Sequence, residues 1–190
     1  AVLEALETAE RAQLISEDRQ AGQPSFTFVH ALIPMALREG LSAIRRHRLH
    51  RRAAQAIEQV HAGAISTGDY AAALGRHYAE AGSAAQAAEH YLRAAERARG
   101  VFAYPETISH YRQALALLKE LGAGELPRAA RTAMTLAQLY HTVYDFDRSQ
   151  QAYQEAFAFW QQDETEHGKA AGLPVDGRRQ PPVSRYSKRN

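Results

Sequence analysis

The second half of the chain carries its apolar positions at helical spacing, in blocks separated by breakers. Helices are predicted at about 70–81, 84–99, 105–121, 127–143 and 147–162, where apolar residues recur every three to four positions. Gly82 and Ser83, Gly100 with Pro105, Gly122 with Pro127, and Asp145 mark the breaks. The first part reads differently. Val2, Leu3, Leu6 and Ala9 place a short amphipathic helix in residues 1–10. Gln13-Leu14-Ile15-Ser16 and Ser25-Phe26-Thr27-Phe28-Val29 are β-prone and flank a polar stretch at 17–24, so a hairpin with a loose tip is expected. His30 ends the second strand, and Ala31 then opens a helix with Pro34 in its first turn, where a missing N–H is tolerated, and Gly40 ends it. Ser42 is placed to cap a long helix at about 43–61. Residues 63–68 read as a connector, and Asp69 as an N-cap for the first helix of the second half.

Within the helical half, small and large residues alternate in a repeated order. Leu74-Gly75-x-x-Tyr78 is followed by Ala87-x-x-x-Tyr91-x-x-Ala94. The order returns as Leu136-Ala137-x-x-Tyr140 and then Ser149-x-x-x-Tyr153-x-x-Ala156. Between them, Thr107-x-x-x-Tyr111-x-x-Ala114 matches the second helix alone, so the helix at 84–99 is expected to serve both neighbours. The pattern resembles the tetratricopeptide repeat, whose period is about 34 residues. The resemblance implies antiparallel helical hairpins in which rings of one helix enter gaps on the other. Such a unit needs neighbours to bury its apolar face, and three partial units are near the minimum for a stack.

At 190 residues the chain has room for one ordinary core, or for a small domain joined to a short solenoid. It is rich in Ala, Glu, Gln, Arg and Leu and poor in β-branched residues after position 70, which favours helix. The absence of cysteine excludes disulfides, thiolate metal sites and cysteine nucleophiles, and fits a reducing compartment; a cytoplasmic location is expected. The net charge of +2 conceals a basic end: from Gly168 onward six Lys or Arg stand against one acid, Asp176. The stretch 164–190 has too few apolar residues to order itself and reads as a flexible basic tail or linker. No apolar run approaches the ~20 residues that span a bilayer, and the start does not read as a signal peptide. The chain lacks an initiator Met and opens inside a helix, so it reads as a piece of something longer or as a processed product.

Catalytic patterns are missing. Gly168-Lys169-Ala170 lacks both the upstream Gly and the following Ser or Thr of a phosphate loop, and neither His-Glu-x-x-His nor Gly-x-Ser-x-Gly occurs. His47 and His50 form a close pair on a helix, but the surrounding arginines disfavour a bound cation. No enzyme activity, metal or cofactor is expected of this stretch by itself. At about 100° per residue, Arg45, Arg48, Arg51 and Arg52 share one helix face, opposite Leu49, Ala53, Ala56, Ile57 and Val60. Three readings of that basic face stay open: a solvated surface whose stems cover apolar groups, a contact with acidic residues of this chain or a partner, or non-specific phosphate binding. Nucleic acid is disfavoured because nothing beside the arginines reads bases.

A protein or peptide partner fits better. Counted from the repeat positions, the inner wall carries Ala72, Arg76, Ala79 and Glu80 in the first copy and Arg131, Met134, Gln138 and His141 in the last. Mixed charge beside small residues suits an extended peptide or a helix, although packing on a neighbouring domain stays an alternative. The Lys and Asn clamp with which some tetratricopeptide repeats hold a C-terminal carboxylate is absent, since Ala72, Arg76, Met134 and Gln138 occupy those places.

The junction of the two halves carries a second resemblance. Phe26-Thr27-Phe28-Val29-His30-Ala31-Leu32-Ile33, then Arg45-Arg46 and Leu49-His50-Arg51-Arg52-Ala53, resembles the winged-helix-to-repeat junction of STAND-class signalling ATPases, among them bacterial transcriptional regulators and cyclase-linked proteins. The resemblance implies a winged-helix unit that closes over an ADP-loaded ATPase core, with His30 approaching the nucleotide phosphates. Turn orientation is the other role open to His30. Pro34 stands where such proteins often carry a charge, and the Walker motif is missing, so ADP or ATP is implied only with an ATPase domain outside these residues. The expected fold is mostly α, a tetratricopeptide-like helical-hairpin solenoid preceded by a partial winged-helix unit with a β-hairpin. Its domains are 1–63, 68–163 and the tail 164–190. The expected function is the sensing arm of a STAND-type regulator, non-catalytic by itself; the alternatives are a freestanding repeat adaptor and a DNA-associated regulator fragment.

Overall fold

The computed structural model describes residues 2–18, 25–61 and 70–170. The expected tip of the hairpin from residue 19, the connector 63–68, the Asp69 cap and the tail from residue 171 lie outside the described residues. In chain order the elements are α1 (Val2–Arg11), β1 (Ile15–Asp18), β2 (Ser25–Phe28), α2 (Leu32–Glu39), α3 (Ala43–Val60), α4 (Ala71–Glu80), α5 (Ala84–Gly100), α6 (Tyr104–Leu121), α7 (Leu126–Thr142) and α8 (Phe146–Ala170), with a 3-10 turn at Ala123–Glu125. The molecule is mostly α, as the periodicity predicts. Helix α8 departs from the pattern at its end: it runs to Ala170, past the predicted limit at 162 and into the expected tail.

Local chemistry explains the helix starts. The Arg45 N–H donates to Ser42 Oγ at 3.4 Å, and the Arg148 N–H to Asp145 Oδ1 at 3.2 Å. Pro105 and Pro127 sit in the first turns of α6 and α7. Three helix ends share one turn. Gly82, Phe102 and Tyr144 have φ of 72°, 59° and 62°, and the next residue's N–H reaches back to a carbonyl five positions earlier: Ser83 to Tyr78, Ala103 to Ala98, Asp145 to Tyr140, at 2.9 to 3.0 Å. This is the left-handed helix stop that glycine favours, used twice here by an aromatic residue. Gly40, by contrast, ends α2 at φ −73° and makes no use of glycine's freedom.

Helices α3 to α8 form an antiparallel zigzag in which each packs on its predecessor and successor, and α5 serves both α4 and α6. One cluster of buried residues joins Ala54 of α3, Leu74 and Tyr78 of α4, and Ala87 of α5; a larger one runs from Ala88 through Tyr111, Leu118 and Leu136 to Ala156. Leu117 of α6 touches both. Alanine dominates these interfaces, so helix axes approach closely and the few Leu and Tyr side chains fill the gaps.

Residues 2–39 are built sparsely. The strands pair antiparallel with Ile15 opposite Phe28 and Ser16 opposite Thr27, two residues later in β1 than the sequence pattern suggests. Ile15 is buried, but α1 and α2 bury nothing, and Phe26, Phe28, Leu32, Met35 and Leu37 are all exposed.

Candidate functional site

The seam between α3 and α4 opens the stack. It turns inward a face of α3 rotated from the one the apolar pattern selects, keeping Ala53 and Ile57 of that pattern but not its other three residues. Leu49, Ala56 and Val60 are exposed, whereas Ala54 is fully buried, with Arg46, His50, Ala53, Ile57 and Glu58 half-buried around it. The reason is that the seam is made of a small residue and rings. Nδ1 of His50 lies 3.0 Å from Nδ1 of His77, so one ring donates and the other accepts. His61 stacks on Tyr70 at 3.9 Å, and Tyr78 on His90 at 5.4 Å. Glu58 Oε1 lies 3.7 Å from His90 Nε2. Burial, then the hydrogen bond with Glu58, pushes the Tyr78 hydroxyl up to about 12. Burial, then the neighbouring Arg93, holds His90 below the ordinary histidine value; burial, then His50, does the same to His77. The basic face, Arg45, Arg48, Arg51 and Arg52, is exposed. Among the described residues no three His, Asp or Glu converge as metal ligands.

The expected inner wall is divided. Ala72, Arg76 and Glu80 of α4 and Arg131, Gln138 and His141 of α7 are exposed. Ala79 and Met134 are half-buried and pack against the two core clusters. His30 is exposed at the junction of β2 and α2, where its carbonyl accepts the Ile33 N–H at 3.1 Å. It lines a cleft of about 680 Å³ with Glu10, Gln13, Ser16 and Val29.

A second groove, of about 640 Å³, lies where α6, α7 and α8 meet. Leu115, Leu136 and Tyr140 form its floor, and Arg112, Lys119 and Arg148 stand on its walls. Lys119 pairs with Glu155 across α6 and α8. Arg148 pairs with Asp145 at 3.2 Å while its guanidinium lies 5.9 Å from the Tyr140 ring centre. An apolar floor under three cations and one carboxylate can seat an apolar side chain and hold a carboxylate beside it. Sequence reasoning missed this groove because its cations come from two helices. The one local signal was Arg112 and Lys119, seven residues apart on one face of α6.

Among the described residues no helix is long and apolar enough to cross a membrane. Neither a curated protein nor a solved structure matches the chain. Residues 50–173 match the family model described as soluble NSF attachment protein, SNAP. That match takes in helices α4 to α8 and covers more than half of the 190 residues, so the chain belongs to the soluble NSF attachment protein (SNAP) family.

Proposed function

We propose that this chain is a protein-binding adaptor arm, non-catalytic by itself, which takes an acidic helical or extended segment of a partner into the groove between α6, α7 and α8. The observation that carries the reading is the groove's composition, an apolar floor walled by Arg112, Lys119 and Arg148 on a rigid stack of hairpins. The test is fluorescence anisotropy with a labelled amphipathic peptide carrying Glu and Leu at helical spacing. Wild-type protein binds it with an affinity that weakens as salt rises. Arg112→Glu with Lys119→Glu loses about tenfold or more, whereas Arg76→Glu, on the α4 wall, leaves binding unchanged. The opposite pattern moves the site to the wall of Arg76, Glu80, Arg131, Gln138 and His141.

A second reading makes the arm part of a STAND-type regulator, with residues 1–63 as a winged-helix unit and the basic face of α3 transmitting an event in the repeats. Its support is the helix, hairpin and helix of residues 2–39, which leave Phe28, Leu32 and Leu37 uncovered, as a unit awaiting a further domain would. His30 lines the cleft at that junction. On this reading calorimetry of the 190 residues with ADP shows no micromolar binding, because the phosphate loop belongs to the missing domain. An in-frame phosphate-loop sequence upstream supports the reading, and its absence removes it.

A further inference from the structure

Among the described residues, the last helix leaves one face bare. Phe146, Tyr153, Phe157 and Trp160 come round to the same side of α8 and are 57, 40, 53 and 39 % exposed. Ser149, Ala152 and Ala156, on the side toward α7, are buried. The earlier repeats indicate what such a ring does when it has a neighbour. Tyr91 and Tyr111, the counterparts of Tyr153 in the repeated pattern, are buried. Tyr91 faces His110 of α6, and the Tyr111 hydroxyl donates to Glu96 of α5.

We propose that the aromatic stripe of α8 is a self-association surface, covered by the same stripe of a second copy lying antiparallel to it. The composition of the rim points to a second copy. Gln150, Gln154 and Gln161 flank the rings and are exposed, and an amide both donates and accepts, so it pairs with its own kind. Between Ser149 and Gln162 the sole charged residue is Glu155, and Lys119 of the same chain already engages it. Like charge therefore does not oppose like charge across a two-fold axis. With Phe157 near the axis, Tyr153 lies beside the partner's Trp160. The bare rings amount to roughly 400 Å² per copy. That is about half of the ~800 Å² per partner in a standard interface, which makes a concentration-dependent dimer rather than an obligate one.

Trp160 is the one tryptophan in the chain and sits in the stripe, so its fluorescence reports the cover directly. The experiment is sedimentation velocity of the 190-residue chain from nanomolar to high micromolar concentration, with tryptophan emission recorded in parallel. The expected result is a doubling of mass, with Trp160 emission moving to the blue over the same range. Phe157→Glu abolishes both. Tyr153→Lys, at another exposed position of the stripe, has the same expected effect, so a folding defect in one variant does not stand in for lost association. A monomer at every concentration overturns the proposal, as does a dimer in which Trp160 emission stays unchanged or which both folded variants form normally.

Discussion

The first repeat, α4 with α5, and the last, α7 with α8, are one pattern written twice, 62 residues apart as Leu74 is from Leu136 and Tyr91 from Tyr153. Their centres agree: Leu74 and Leu136, and Tyr78 and Tyr140, are all buried. Their outer rings differ. Tyr91 lies so close over Gly75 that a Cβ there would sit 2.9 Å from its Cδ1. In the last repeat Ala137 supplies that Cβ, Ser149 Oγ donates to the Ala137 carbonyl at 2.9 Å, and Tyr153 stays outside. The small position of the repeat is thus not one requirement but two. It must be glycine where a ring enters, and alanine suffices where a hydroxyl does the holding. The inner polar positions differ as well: His77 and His90 of the first repeat correspond to Leu139 and Ala152 in the last.

The largest effect that bears on this contrast is expected at Gly75. Gly75→Ala gains about 1 kcal/mol of helix propensity, but forces the buried Tyr91 ring to move at a cost of about 1–3 kcal/mol. Urea denaturation should show a net loss of up to about 2 kcal/mol, and a net gain would mean that Tyr91 and Tyr153 are held alike. Ala137→Gly loses the propensity and one buried methyl group, about 1–2 kcal/mol together.

The turns sharpen the comparison from the other side. Gly82 in the first repeat and Tyr144 in the last occupy the same left-handed stop, and Tyr144 is 81 % exposed. Tyr144→Gly should therefore raise stability by about 1 kcal/mol, read as a higher thermal midpoint.

The smallest effect is in acid. Burial favours neutral His77 and His90, whose folded pKa values lie below the ordinary 6.5. As pH falls through 6.5 the unfolded chain takes up protons first, so the stability these groups contribute is full above that value and declines below it. The urea midpoint should fall between pH 6.5 and the carboxylate range. His77→Leu with His90→Ala, which installs the residues of the last repeat, should flatten that slope. An unchanged slope would place the acid sensitivity elsewhere.

Helix positions in the stack were legible because Gly, Pro and Asp145 interrupt a regular apolar spacing; α4 to α7 begin and end within one residue of the pattern's limits. The end of α8 was not. After Asp163 the apolar period stops, yet Glu164, Thr165, Glu166 and His167 contain no breaker, and the helix continues on local propensity. The inward face of α3 was misread for a related reason. Apolar spacing selects Leu49 and Val60, but close approach to α4 needs the small Ala54 between polar His50 and Glu58, whose partners lie on other helices.

The sequence by itself determined that this is a stack of antiparallel helical hairpins, because small and ring residues at fixed helical spacing carry that information within each helix. Only the tertiary structure decided which rings are covered, which face of α3 turns inward, and that Arg112, Lys119 and Arg148 share one groove. Those are properties of pairs of helices. A residue's exposure depends on what lies opposite, and the spacing within one helix does not record it.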